Sequence, residues 1–168
     1  FMKKLFKNII PYLIIIIVVI LIRSFIITPV QVVGSSMSPT LTNGQVLILS
    51  KIDYRLNEIS RYDIVVIDTE DSPLIKRVIG LPGEHISYHY GKLYINGEET
   101  EDKYAKITGN FDLKDLGYDK IPENYYFVIG DNRNDSVDSR IIGLINIKDI
   151  EGSANLRLWP LNKIKYVK

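Results

Sequence analysis

Residues 62–80 read YDIVVIDTEDSPLIKRVIG. This stretch consists of two runs rich in β-branched residues, joined by a short polar segment. Runs of this length and composition, bounded by Gly, Pro, Asn, Asp or Ser, are typical of β-strands. Similar runs recur as TPVQVV at 28–33, QVLILSK at 45–51, EHISYHY at 84–90, KLYI at 92–95, YYFVIG at 125–130 and ANLRLW at 154–159. The sequence beyond Pro29 therefore predicts a mostly β fold with one domain.

One turn and one longer segment refine this expectation. Asn96-Gly97 lies between two extended arms, and this dipeptide predicts a β-hairpin with a type I′ turn. Residues 98–122, in contrast, are polar and weakly periodic. They predict a peripheral insertion outside the core, either an ordinary surface connection or a small subdomain. Residues 29–168 contain no heptads, repeats or long amphipathic helix pattern.

The N-terminal segment predicts a membrane anchor. Three lysines precede an uninterrupted apolar run, IIPYLIIIIVVILI at 9–22, and residues 25–27 extend it. No small-x-small cleavage site follows, which favours an uncleaved transmembrane helix over a removed signal peptide. The lysines before the span place the N-terminus in the cytoplasm by the positive-inside rule. Residues 1–28 are thus expected to be the cytoplasmic N-terminus and a single-pass anchor in the cell membrane, and residues 29–168 an extracytoplasmic domain.

Composition and charge exclude several classes of protein. The chain has no cysteine, so disulfides, cysteine metal sites and a thiol nucleophile are excluded. Its net charge of +1 is the balance of +4 in residues 1–28, which hold Lys3, Lys4, Lys7 and Arg23 and no acid, and −3 in the remainder. A mildly acidic body argues against nucleic acid as a partner, because nucleic acid requires a basic face.

Residues 34–41, GSSMSPTL, place two adjacent serines at the end of a strand-like run. Either hydroxyl is a candidate nucleophile if a base accepts its proton. Histidine is the usual base, but no orienting carboxylate arrangement surrounds His85 and His89 in the sequence, and both are expected to be structural. Two histidines without a local third ligand do not make a zinc site. No metal and no organic cofactor are expected.

A lysine is the alternative base, provided that burial keeps its amine neutral. In PLIKRVIG, residues 73–80, Lys76 and Arg77 point to opposite faces of a strand, and both have apolar neighbours on their own face. Periodicity does not choose between them, but arginine stays protonated, so Lys76 is the candidate base. An edge strand with both side chains in solvent is the alternative, and the sequence leaves it open.

A third stretch, GDNRNDSVDSR at 130–140, follows the strand-like YYFVI and concentrates charges, amides and serines. A solvated loop is one interpretation of this composition. The other is a rigid polar network that supports a site, because paired opposite charges beside a buried strand stabilise such networks.

Taken in order behind the N-terminal segment, GSSMSPTL, LIKRVIGLPGE and GDNRNDSVDSR resemble the motifs of the type I signal peptidases. The match is closest to the single-span enzymes of Gram-positive bacteria and covers residues 3 to about 160. The resemblance implies a signal-peptidase-like antiparallel β fold. It also implies Ser36 as the nucleophile and Lys76 as the general base, whereas Ser35 and Asp135 receive no role.

The resemblance implies further roles around this pair. Ser136 would hydrogen-bond and orient the lysine, and Met37 would pack beside the nucleophile and shape the pocket, although a core methionine is the equal alternative. An oxyanion would be held by the Ser36 backbone N–H and a second donor in the Gly34 region, where the Gram-negative pattern has a serine. The remaining supporting residues form two ion pairs, Asp131 with Arg77 and Asp138 with Arg140.

The implied activity is the removal of signal peptides from exported preproteins by a Ser-Lys dyad, with cleavage after small residues at positions −3 and −1. The implied partners are preprotein signal peptides and the lipid bilayer, with the secretion machinery as a candidate. The choice between general and pilin-dedicated substrates stays open. The alternative is a homologue that has lost catalysis and serves as an assembly factor for pili or secretion. Self-cleaving Ser-Lys repressors are excluded because they carry a DNA-binding N-terminus.

Overall fold

The structure is a computed structural model that describes residues 2–52, 58–70, 72–104 and 108–167. It begins with helix α1, Met2–Phe25, and continues mainly as β-strands connected by turns. The strands are β1 Ile27–Gln31, β2 Val46–Ser50, β3 Ile64–Ile67, β4 Leu74–Gly80, β5 Ile86–His89, β6 Lys92–Ile95, β7 Glu98–Thr100, β8 Phe111–Asp112, β9 Tyr125–Ile129, β10 Ile145–Asn146, β11 Ile150–Trp159 and β12 Lys165–Tyr166. A short helix, α2, spans Ser139–Ile142, and 3₁₀ turns span Leu113–Leu116, Ile147–Asp149 and Leu161–Lys163.

The main sheet is built from neighbouring strands that all run antiparallel. Its order is β1-β2-β11-β3-β4-β9-β10, and β12 pairs with β11. Strand β11 comes late in the chain yet lies between β2 and β3, so it joins the first two strands to the central ones. Each of the eight strand-like runs in the sequence overlaps a strand, and the prediction of a mostly β fold is confirmed.

Strand β3 shows how the main sheet is buried. All residues of this strand, IVVI at 64–67, lie in the interior. Alternate side chains of a strand point to opposite faces. Ile64 and Val66 accordingly join one apolar cluster, while Val65 and Ile67 join another. The sheet is therefore covered on both faces at this strand, and β4 beside it is almost entirely buried.

A second, smaller antiparallel sheet has the order β7-β6-β5-β8. Strands β6 and β7 are joined by Asn96 and Gly97, whose φ angles are 54° and 86°. Positive φ at both central residues is what a type I′ turn requires. Ile95 pairs with Glu98 across the turn, so the predicted hairpin is confirmed.

Residues 98–122 depart from the expectation of an insertion outside the core. This segment supplies β7 and β8 to the second sheet. Its Phe111, Leu113 and Ile121 are buried in one cluster with Phe127 of β9. Phe111 lies in β8, Leu113 in the 3₁₀ turn after it and Ile121 outside any helix or strand. The three buried residues therefore follow neither the strand nor the helix period, and sequence periodicity does not reveal them.

Helix α1 carries exposed apolar side chains from Ile9 to Ile22 and contains Pro11. Across the part of the chain that the structure describes, no helix combines the length and the hydropathy that a membrane span requires. The transmembrane anchor expected in residues 1–28 stays a prediction.

Candidate active site

The GSSMSPTL stretch is a turn rather than the end of a strand. Strand β1 ends before it, and residues 34–40 follow as consecutive bends and turns. Gly34 has a φ of +86°, which favours glycine, and its N–H donates to Asn43 Oδ1 at 3.0 Å. Met37 and Leu41 are buried in the same apolar cluster as Ile64 and Val66 of β3, so the core anchors this turn. Met37 is thus a core side chain next to the candidate nucleophile.

Lys76 lies within β4, which is a central strand between β3 and β9. The alternative of an edge strand with the lysine in solvent is therefore wrong, and Lys76 is only 2% exposed. Its Nζ lies within hydrogen-bond distance of Ser36 Oγ, at 2.8 Å. The structure thus brings together the two candidate residues, although 40 positions separate them in the sequence.

The surroundings of Lys76 favour its neutral form. Burial lowers the pKa of Lys76, because removing an ammonium group from water is costly. The Asp138 carboxylate raises this pKa in part, the Arg140 guanidinium lowers it again, and the net direction is down. A neutral amine has a lone pair that can accept the Ser36 proton, whereas an ammonium group has none.

Arg77, the neighbour of Lys76 in β4, forms a buried ion pair with Asp131. Its Nε and Nη2 donate to the two carboxylate oxygens at 2.8 and 2.7 Å, and neither side chain is exposed. Its Nη1 donates to the Tyr62 carbonyl at 2.7 Å, and its guanidinium lies 3.5 Å from the centre of the Tyr104 ring. The expected contact with Asp131 is therefore present, and the bidentate geometry fixes the loop that carries it to β4.

The second expected ion pair, Asp138 with Arg140, is also present. The Arg140 Nε and Nη2 each donate to the Asp138 carboxylate at 2.8 Å. Asp138 also accepts a hydrogen bond from the Gly130 N–H at 3.0 Å and caps helix α2. Burial raises the pKa of Asp138, but hydrogen bonds from Arg140 and the Gly130 N–H and the nearby Ser136 hydroxyl outweigh burial and hold the pKa below its usual range.

The structure shows no hydrogen bond from Ser136 to the lysine, which the resemblance implied. Its Oγ is buried and has no partner with full hydrogen-bond geometry among the described residues. It nevertheless lies near enough to the Asp138 carboxylate to lower the pKa of that group. The hydrogen bond of Lys76 is with Ser36 instead. Ser136 thus lies beside the charged network without a hydrogen bond to Lys76.

Two residues outside the predicted site contact the Ser36 backbone. The Asn132 N–H donates to the Ser36 carbonyl at 2.9 Å. At Gly130, an added Cβ would overlap the same carbonyl oxygen and the Ser136 Oγ, so glycine permits the close approach. The sequence signal for this contact is a glycine placed between a buried strand and a charged loop.

Ser35 and Asp135, which received no role, contact each other. The Ser35 Oγ donates to the Asp135 carboxylate, and Asn132 Nδ2 donates to the Ser35 carbonyl at 3.3 Å. If this stretch were a strand, the Ser35 and Ser36 side chains would point to opposite faces. The backbone here is a turn instead. The loop 130–140 is therefore bonded to both serines of GSSM.

The backbone N–H groups of the turn bear on the expected oxyanion site. Within the described ranges, no group accepts a hydrogen bond from the Ser36 N–H. The Gly34 N–H, in contrast, already donates to Asn43. Of these two N–H groups, the Ser36 N–H is therefore the one that can donate to an oxyanion.

The two histidines have other partners in the second sheet and beside it. His85 Nδ1 lies 2.8 Å from the Asp119 carbonyl, and its Nε2 lies 3.3 Å from Asp112 Oδ1. The His89 ring packs against Tyr94. These are the contacts of structural residues, although a carboxylate does stand beside His85. No group of three or more histidine or acidic side chains suited to a metal ion occurs among the residues that the structure describes.

A serine hydroxyl bonded to a buried lysine, beside a free backbone N–H, has the geometry of a serine peptidase in which lysine takes the place of histidine. This geometry lies on a mostly antiparallel β fold. The chain matches the family model "Signal peptidase, peptidase S26" over residues 4–159, and it belongs to this family of peptidases. The family that the motifs predicted is confirmed.

Known relatives agree with this assignment. The chain is 36% identical over 168 residues to signal peptidase I of Bacillus caldolyticus, with 93% of this chain and 92% of the relative covered. It is 34% identical over 180 residues to signal peptidase IB of Staphylococcus aureus strain MRSA252, with 98% and 94% covered. The crystal structure of a signal peptidase I from Enterococcus faecalis V583 matches with a TM-score of 0.54 and 33% identity, covering 58% of this chain and 97% of that one.

Proposed function

We propose that this chain removes signal peptides from exported preproteins, with Ser36 as the nucleophile and Lys76 as the general base. One observation carries the proposal: the 2.8 Å contact between Lys76 Nζ and Ser36 Oγ, made by a buried lysine whose pKa is lowered. Membership of the signal peptidase family supports the substrate class.

In the acylation step, the neutral Lys76 amine accepts the Ser36 proton while Oγ attacks the scissile carbonyl carbon. The carbonyl oxygen becomes an oxyanion and accepts a hydrogen bond from the Ser36 N–H, an interaction worth about 3–4 kcal/mol in such sites. The Asp138 carboxylate, which raises the pKa of Lys76, stabilises the transient ammonium. That ammonium then protonates the leaving amine, the C–N bond breaks, and the mature protein departs.

In the deacylation step, Lys76 is neutral again and accepts a proton from a water molecule as its oxygen attacks the acyl-enzyme carbonyl. The ester bond to Ser36 breaks, and the proton passes from Lys76 to the serine oxygen. The signal peptide leaves with a free carboxyl group, and both residues return to their starting state.

The proposed substrate is an extended segment with small residues at positions −3 and −1. Strand β1 is at the end of the strand order, with a neighbour on one side only within the described residues. An edge strand of this kind has unpaired backbone groups that can bind an extended peptide by strand addition. This supports recognition through the backbone, with side-chain pockets selecting the small residues.

The proposed location is the cell membrane, with residues 1–28 as the anchor and the N-terminus in the cytoplasm. The lysines before the apolar run support this orientation. The catalytic domain, residues 29–168, would then face the outer side, where signal peptides emerge. The lipid bilayer is a proposed partner, and the secretion machinery is another.

The test is cleavage of a preprotein with an Ala-x-Ala site, in detergent, between about pH 6 and pH 10. The full chain is compared with Ser36→Ala, Lys76→Ala and the exposed control Lys148→Ala. Cleavage should rise with pH as Lys76 loses its proton. It should fall by at least about a thousandfold in the first two variants and persist in the control.

Two results would change the proposal. Cleavage that survives Lys76→Ala would rule out lysine as the base and return attention to His85 and His89. A wild-type chain that cleaves no preprotein would favour the non-catalytic role in pilus or secretion assembly.

A further inference from the structure

Arg133 is a buried cation whose counter-ion comes from a distant part of the chain. It belongs to residues 130–140, which we call the supporting loop. Its Nη1 donates to Asp102 Oδ2 and Thr108 Oγ1, each at 2.6 Å, and to the Tyr88 hydroxyl at 3.2 Å. The side chains of Arg133 and Asp102 are only 2% and 6% exposed. Asp102 therefore lies inside the molecule, in a segment whose sequence predicts an exposed connection.

The same segment also contacts the second buried arginine of the site. The Tyr104 ring lies 3.5 Å from the Arg77 guanidinium. The Tyr62 hydroxyl donates to the Glu101 carbonyl at 2.8 Å, while its own carbonyl accepts a hydrogen bond from Arg77. Residues 101–104, which we call the brace, thus bear on both arginines.

The supporting loop in turn holds the nucleophile. Arg133 Nε donates to the Gly130 carbonyl at 3.0 Å, and Arg140 Nη2 donates to the Arg133 carbonyl at 2.9 Å. The N–H of Asn132, the residue before Arg133, donates to the Ser36 carbonyl at 2.9 Å. A displacement of Arg133 would therefore pass directly to the backbone of the Ser36 turn.

We propose that Asp102 is a positioning residue, which fixes Arg133 and, through it, holds the supporting loop against the Ser36 turn. This inference rests on the proposed function. Asp102 contacts neither reacting side chain. It acts by neutralising a guanidinium group that would otherwise be an uncompensated charge in the interior.

The position of Arg133 depends on its buried ion pair with Asp102. Without the carboxylate, the arginine must move toward water or find another acceptor. Arg133 Nη2 is already buried without a hydrogen-bond partner among the described residues. Loss of the Asp102 carboxylate would remove a further acceptor from the same guanidinium group. Movement of Arg133 shifts the backbone on both sides of it, and small displacements of reacting groups have large effects on rate.

The test compares Asp102→Asn with Glu99→Gln in the full-length chain. Glu99 is a matched control, because its carboxylate pairs with Lys92 at 2.8 Å while both side chains are more than half exposed. Glu99→Gln should leave kcat and KM for preprotein cleavage unchanged. Asp102→Asn should lower kcat by about tenfold to a hundredfold while KM changes less than about twofold, because the substrate does not meet this residue.

The pH profile separates positioning from simple destabilisation. A purely structural role would lower the thermal unfolding midpoint and leave the kinetics of the folded molecules intact. A loosened supporting loop admits water to Lys76, which raises the pKa of Lys76 and moves the activity midpoint to higher pH. Asp102→Glu keeps the charge and should restore part of the rate.

Folded Asp102→Asn with wild-type kcat and a wild-type pH midpoint would overturn the proposal. Should that variant not fold, Asp102→Leu combined with Arg133→Leu replaces the pair by apolar side chains, a change that proteins often tolerate. This double variant should fold and stay slow, and wild-type kcat in it would overturn the proposal. Failure of the wild type to cleave, or cleavage by Ser36→Ala, would instead overturn the proposed function and this inference together, before any Asp102 variant is made.

Discussion

At the scale of single residues, the role proposed for Lys76 implies a cost in stability. Its amine is buried, so its pKa is lowered and a charge there favours the unfolded chain. We expect Lys76→Met to abolish cleavage and to raise the free energy of unfolding at neutral pH by about 0.5–2 kcal/mol. Denaturant unfolding of both proteins measures this difference.

The sign of the pH dependence follows from the lowered pKa of Lys76. Above its folded pKa and below the ordinary lysine value of 10.5, the unfolded chain holds a proton that the folded chain has released. Wild-type stability therefore rises with pH through this window, and the advantage of Lys76→Met should shrink toward its upper end. The exposed Lys148→Met is the control. A similar gain in this control would contradict the explanation.

Gly130 is the residue at which the end of β9 approaches the Ser36 turn. An added Cβ would overlap the Ser36 carbonyl and the Ser136 Oγ. We expect Gly130→Ala to cost roughly 1–3 kcal/mol of stability and to lower kcat by about a hundredfold. Thermal unfolding and preprotein cleavage measure the two effects. Gly109→Ala is the matched control, since a Cβ there meets nothing within 4 Å; full activity in Gly130→Ala would show that the contact is dispensable.

At the scale of elements, the residue before helix α2 joins three parts of the site. The Asp138 carboxylate caps the helix, binds the Gly130 N–H and pairs with Arg140. It raises the pKa of Lys76, whereas Arg140 lowers it. Asp138→Asn removes the raising charge and leaves Arg140 unpaired. We therefore expect a lower kcat and an activity midpoint at lower pH.

The pH dependence of kcat/KM reports this midpoint. Asparagine is also a good N-cap, so the start of α2 should be preserved in Asp138→Asn. The exposed Asp149→Asn variant should keep the wild-type midpoint. A midpoint that moves to higher pH in Asp138→Asn would mean that hydration of Lys76 outweighs the lost charge, and the prediction would be wrong.

The elements differ in how far the sequence predicts them. The strands are predictable because short β-branched runs between turn residues are local signals. The turn that carries Ser36 is not, since a hydrogen bond from Gly34 to Asn43, nine positions away, shapes it. Phe111 and Leu113 lie in a polar segment and become core residues only because β9 supplies Phe127 on the other side.

At the scale of the whole molecule, the site depends on strand order. Residue chemistry alone selects Lys76 over Arg77, but the central position of β4 follows from its pairing with β3 and β9. The two ion pairs came from the family resemblance rather than from spacing. The contact between Asp102 and Arg133 joins residues 31 positions apart and has no local signal.

The proposed anchor is tested on the full chain. We expect it to stay in the membrane fraction after an alkaline wash. Ile16→Lys combined with Val18→Lys should release it, because a lysine near the centre of a membrane helix costs about 2.5–3.5 kcal/mol. The matched control replaces the same two residues by leucine and should remain bound. Retention of the lysine variant would argue against a spanning helix.

The position of strand β11 in the sheet affects when the candidate site can assemble during synthesis. Synthesis delivers the Ser36 turn with β1 and β2 first and Lys76 with β3 and β4 next, but the strand that joins these halves of the sheet is residues 150–159. A chain that ends before β11 therefore lacks the strand that joins β2, which follows the Ser36 turn, to β3 and β4. We therefore expect the proposed catalytic pair to assemble only after β11 has been made, so that a chain still in synthesis does not cleave.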